Sequence, residues 1–124
     1  RQQMGDGGLI AQFVDAETGE AVAVTDDTMR CLVSHHAPID RSCEASSDPV
    51  AGEGACGFEM TAEPTDWTAP AFDASDWPQA TVHSARAVDP KGGYDAISWS
   101  PQAQLIWGPD LERDNTILCR LTIE

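Results

Sequence analysis

The sequence predicts an all-β fold: an antiparallel β-sandwich, stapled by disulfides, forming a single domain over residues 1–124. Short apolar stretches alternate with polar residues at a period of two and are cut by Gly, Pro, Asp and Ser, which is the strand-and-turn signature. No apolar pattern at helical period persists beyond about one turn. Four cysteines, an even number with no Cys-x-x-Cys pair, point to two disulfides rather than to a zinc or redox motif.

"GLIAQFVDA" sets Leu9, Ala11 and Phe13 opposite Ile10, Gln12 and Val14. "ETGE" turns around Gly19, whose missing Cβ admits the dihedrals a tight turn needs, and "AVAVT" returns, so residues 9–25 read as a hairpin. "MRCLVSH" is a third strand. Residues 38–56 are loop by composition, and a loop of that length in a compact domain is functional or covalently held. Cys43 and Cys56 lie inside it and supply the second explanation. "GFEMTAE" reads as a strand, and "PTDWTAPAFDASDWPQA" as a connector carrying Trp67 and Trp77. "ATVHSARAV" reads as a strand with Thr81, His83 and Ala85 on one side and Val82, Ser84 and Arg86 on the other. "DPKGGYDAISWSPQ" is turn-rich, and "AQLIWG" and "NTILCRLTIE" are the last two strands.

The formal net charge is −14, from 21 acidic and 7 basic residues. A chain so poor in Lys and Arg cannot build the surface that phosphate backbones or anionic membranes require, so nucleic acid and lipid surfaces are excluded as expected partners. Solubility and attraction for cations or cationic partners follow instead. No run approaches the roughly 18 apolar residues that direct membrane insertion needs. The even cysteine count places the protein in an oxidising compartment: periplasm, cell surface or medium. The pairings Cys31–Cys119 and Cys43–Cys56 are favoured, the first because both cysteines sit in strand-like stretches. The opening "RQQMGDGG" reads as a processed or trimmed start, so the chain is expected to be a mature exported form or one segment of a longer one.

Three C-terminal phrases carry a resemblance. "FDASDWPQATV", "LIWGPDL" and "RDNTILCRLTI" supply Phe72, Asp73, Ser75 and Trp77, then Ile106, Trp107 and Asp110, then Asp114, Asn115 and Arg120. Over residues 66–124 this resembles galactose-binding-like, discoidin-type jelly-roll domains of secreted proteins, including those appended to glycoside hydrolases. The resemblance implies a jelly-roll-like sandwich and a recognition role, with ligands on loops at one end or on a concave sheet face. The residues agree: Asp73 and Ser75 can cap the turn that delivers Trp77 to the core, and Pro78 stops that turn from propagating. The composition also resembles, faintly and without their Trp-x-His arrangement, methanotroph secreted copper-binding proteins.

Four sets of residues are candidates for chemistry. His35 and His36 are adjacent, so on a strand they face opposite ways, and at most one can join His83 in a copper site. Asp110, Glu112 and Asp114 at spacing two would share a side of an extended segment, which suits a hard cation such as calcium. Tyr94 and Trp99, beside Gly92–Gly93 and in "AISWSPQ", are the aromatics best placed for an exposed sugar-stacking platform. Enzyme signatures such as G-x-S-x-G, H-E-x-x-H and the P-loop are absent from the sequence. The expected function is therefore a non-catalytic exported recognition or assembly domain, carbohydrate-binding in its sharpest form. It would act as an accessory domain or subunit with extracellular or cell-surface proteins or glycan as partners. A secreted or periplasmic copper protein using His83 with His35 or His36, and a purely structural subunit, are the rival expectations. No cofactor is required; calcium and copper are the candidate ions.

Overall fold

The computed structural model describes residues 7–123, so the expected processed start lies largely outside the described residues. Among the described residues seven strands form three antiparallel sheets, with one α-helical turn and three short 3-10 turns between them. β1 (Gln12–Val14) pairs with β2 (Ala21–Val24). β3 (Arg30–His36) lies between β4 (Glu59–Met60) and β7 (Asp114–Arg120). β5 (Thr81–His83) pairs with β6 (Leu105–Trp107).

Local chemistry sets the boundaries. The β1–β2 turn closes because Asp15 Oδ1 accepts the N–H groups of Glu17 and Thr18, while Gly19 takes φ 73°. β5 stops at His83 where a longer strand was predicted. Ser84 is a helix N-cap, its Oγ accepting the Ala87 N–H at 3.1 Å, and Ala85–Val88 makes one α-turn, α1. The "GFEMTAE" strand shortens to β4, since Thr61 gives the last bond to β3, through Ser34 O, before the chain turns away.

β3 organises the fold. On one edge it pairs with β7 from Arg30↔Arg120 to His36↔Asp114, with irregular register around His35. On the other edge the Cys31 N–H donates to Pro78 O at 2.8 Å and Ala80 N–H donates to Met29 O at 2.9 Å. Because the Cys31 N–H is aimed at Pro78, Cys31 and Cys119 face each other as a non-hydrogen-bonded pair, where strands approach most closely. Their Cα atoms are 4.1 Å apart and the two are disulfide-bonded. The second disulfide, Cys43–Cys56, joins two short 3-10 turns (Arg41–Ala45 and Gly54–Cys56) and holds the 38–56 loop. Both pairings are those the sequence favoured, and two disulfides are typical of exported proteins.

The hydrophobic core is small: Met29, Cys31, Ala80 and Ile106, with Ile117, Cys119 and Leu121 against it. Beside it Trp77 is buried under Phe72 and Trp67, with ring centroids 5.5 and 6.3 Å away. Arg120 lies 5.4 Å over the Phe72 ring and donates to the carbonyls of Trp67 and Ala69, holding the 64–77 connector against β7. The β1–β2 hairpin adds little burial, since Phe13, Val14 and Val22 stay about half exposed. It is tied down by Thr25, which is 1% exposed. The Thr25 hydroxyl donates to Gln104 O at 2.7 Å and accepts the Ala11 N–H at 3.1 Å; its backbone bonds the same two residues.

Two predictions follow from these attachments. Thr25→Val keeps the shape but strands both hydroxyl partners, and should cost about 1.5 kcal/mol of unfolding free energy in urea. Asp73 has its carboxyl held below the ordinary 3.8 by the Ser75 backbone N–H and then the Ser75 side chain. A carboxyl lowered in the fold stabilises it above the ordinary value and loses that contribution as pH falls through the lowered one. The stability difference between the native chain and Asp73→Asn should therefore be full at neutral pH and shrink below about pH 4, seen by thermal melts across that range.

Candidate functional site

A cleft of about 580 Å³ is walled by Tyr94 and Trp99. Their rings stack at 6.0 Å between centroids and 30° between planes. Tyr94 opens a 3-10 turn, Tyr94–Ala96, whose preceding Gly93 takes φ 104°. The Trp99 Nε1–H donates to Tyr94 O at 3.0 Å, which locks the indole on its neighbour. Gln12, from β1, clamps the flanking residues: its Nε2–H donates to Ser98 O at 3.2 Å, and its Oε1 accepts the Ser100 N–H at 2.7 Å. Both rings are half-buried rather than fully exposed. Ile97 and Val88 add apolar surface, and the Asp89–Lys91 ion pair supplies charged groups at the edge. Lys91 also holds the Asp89 carboxyl below its ordinary value. Gly7 and Gly8 also line it; Gly8 has φ 139°, and a Cβ there would overlap Val88 Cγ1. An apolar cleft with fixed aromatics and a few polar groups has the makings of a small-ligand site.

A second cleft, of about 520 Å³, opens beside β3. His36 and Asp114 lie at one end, with Nδ1 and Oδ1 2.9 Å apart. A carboxylate only accepts, so the imidazole carries a proton on Nδ1 and donates it to Asp114. Asp114 is 5% exposed at its side chain, and its Oδ2 accepts the Asp110 N–H at 2.8 Å. The Asp114 carbonyl accepts the Trp107 Nε1–H at 2.6 Å.

The predicted metal sets separate. His35 packs on Phe58 at 5.4 Å, His36 turns to Asp114, and the His83 Nε2–H donates to Gly108 O at 2.9 Å. The 110–113 segment is a turn rather than extended, because Asp110 Oδ1 accepts the N–H groups of Glu112 and Arg113. Glu112 pairs instead with Arg41 at 3.0 Å, and Asp114 points inward. No cluster of three metal-ligating side chains occurs among the described residues.

Sequence reasoning singled out Tyr94, Trp99, His36 and Asp114 but missed the Gln12 clamp and the His36–Asp114 pair. The pair had a signal. His36 is five residues after Cys31 and Asp114 five before Cys119, so an antiparallel register anchored on that disulfide sets them opposite each other. Comparison with protein-family models, curated proteins and solved structures finds no match for the chain. Asp114→Ala would leave the His36 Nδ1–H and the Asp110 N–H unpaired. It should lower stability by about 3 kcal/mol in urea, against under about 1 kcal/mol for Glu112→Ala, whose ion pair is exposed.

Proposed function

We propose that the chain is a non-catalytic, exported recognition domain whose Tyr94–Trp99 cleft takes a carbohydrate. It acts as an accessory domain or subunit of an extracellular or cell-surface complex. The stacked ring pair, fixed by Gln12 and by the Trp99–Tyr94 hydrogen bond, carries this reading. Sugars present apolar C–H faces and hydroxyls together, and an aromatic wall edged by Asp89 and Lys91 answers both. Rings already held in place lose little freedom on binding. The antiparallel sheets and two disulfides are compatible with the galactose-binding-like jelly roll that the C-terminal phrases resemble.

A purely structural role in an assembly is the second reading, favoured by one feature. Edge strand β4 carries Met60 at 69% exposure, with Phe58 and Ile39 also exposed. An apolar sheet edge of this kind is suited to burial against another chain.

A glycan array followed by calorimetry separates the two. Binding to a defined glycan that Trp99→Ala abolishes, with the thermal midpoint little changed, is the expected outcome. An array without a specific ligand, together with concentration-dependent self-association that Met60→Lys removes, would replace the carbohydrate reading with the assembly one.

A further inference from the structure

We propose that the β1–β2 hairpin is a docking edge for a cationic segment of a partner protein, added to the sheet as a strand beside β2. β2 has no strand on its outer side among the described residues. Toward β1, Glu20 O accepts the Asp15 N–H and the Thr25 N–H donates to Ala11 O. Strand alternation therefore turns the N–H and carbonyl groups of Ala21 and Val24 to the open side, two donors and two acceptors for an added backbone. Edge strands are ordinarily guarded by charged side chains, above all Lys, or by Pro. Ala21–Val24 has neither. Val22 is the extra residue where the register shifts opposite the Phe13–Val14 step. Such a bulge re-aims a side chain, and Val22 is 56% exposed beside half-exposed Val14 and Phe13.

Charge selects the occupant. From residue 7 to residue 29 the chain carries Asp15, Glu17, Glu20, Asp26 and Asp27 and no Lys, Arg or His. The first three precede β2 and the last two follow it, so carboxylates flank both ends of the open edge. The ion pairs among the described residues lie elsewhere, at His36, Arg41, Lys91 and Arg113. A second copy is therefore the wrong occupant: β2 against β2 would bring acid-flanked ends onto acid-flanked ends, and like charges in register repel. The complement is an extended stretch of about four residues, apolar at alternate positions, with Lys or Arg beyond each end. Its backbone would fill the open edge, its apolar side chains would cover Val22 and its neighbours, and its cations would meet the flanking carboxylates.

The test uses the whole oxidised chain and a synthetic peptide, Thr-Val-Thr-Val between two pairs of lysines and capped at both ends. It should bind and shift the amide resonances of Ala21–Val24. Three control peptides probe the edge. One has serine in place of valine, one is methylated on alternate backbone nitrogens, and one has glutamate in place of lysine. The first two keep the charge and should bind about tenfold more weakly or worse, the scale of lost burial or of a pair of backbone hydrogen bonds; the third should not bind. Neutralising Glu17→Gln, Glu20→Gln and Asp27→Asn together should weaken the lysine peptide about tenfold, the sum of three exposed ion pairs. Val22→Lys should abolish binding with the thermal midpoint little changed, since that side chain is exposed. Trp99→Ala should leave peptide binding unchanged, so this proposal and the carbohydrate reading fail separately. Equal binding of the serine or N-methylated peptide would reduce the effect to attraction by an acidic chain and overturn the proposal. No binding of the lysine peptide, shifts confined to other strands, or self-association of the chain that Val22→Lys removes would overturn it as well.

Discussion

A buried carboxyl group holds one end of this molecule together. Asp114 begins β7 on the inside, where an acidic side chain is tolerable only with its hydrogen-bonding capacity met. Its two oxygens meet His36 from β3 and the Asp110 N–H from the preceding turn, while its carbonyl meets the Trp107 indole from β6. One residue thereby fixes the angle at which β6 hands the chain over to β7. The fit leaves no room for a side chain at position 108, where a Cβ would overlap Asp114 Oδ2 and press on Val33, so Gly108 is required by the carboxyl it faces. The same bond fixes the orientation of the His36 ring at the end of the neighbouring cleft.

Elsewhere the fold relies on point attachments rather than on a deep core. Among the described residues few large apolar side chains are buried, and several of the buried ones are alanine or cysteine. A core this thin suits a domain that covalent links assist. Thr25 joins the hairpin to the segment leading into β6, Arg120 pins the tryptophan connector, and Gln12 reaches across to hold Trp99. Each is a polar side chain bonding the backbone of a distant segment, and such bonds are costly to break because they leave two groups unpaired.

The sequence made the strand-rich class and both disulfides legible, because alternation and cysteine spacing are local signals. Asp73 bonding the Ser75 N–H to shape the turn before buried Trp77 was legible for the same reason. Where a short capping signal competed with alternation, alternation misled: Ser84 ends β5 although Thr81, His83 and Ala85 keep the period. The acidic triplet at 110–114 misled in the same way, since Asp110 folds its own segment into a turn before an extended geometry can form. The clefts were invisible because each depends on where a chain departs and returns. Nothing between Thr61 and Pro78 announces that the two ends will fall in line beside β3.

The Cys31–Cys119 bond encloses most of the chain in a covalent ring. Pulled from its two ends, the molecule transmits load across that bond, and the residues from 32 to 118 carry no tension. The rings of Tyr94 and Trp99 and the edge of β3 lie within the shielded part. The β1–β2 hairpin lies outside it, in the direct line of force, and with it Gln12, the clamp on Trp99. Mechanical load on this domain would therefore loosen the aromatic wall's support before it disturbed the wall itself.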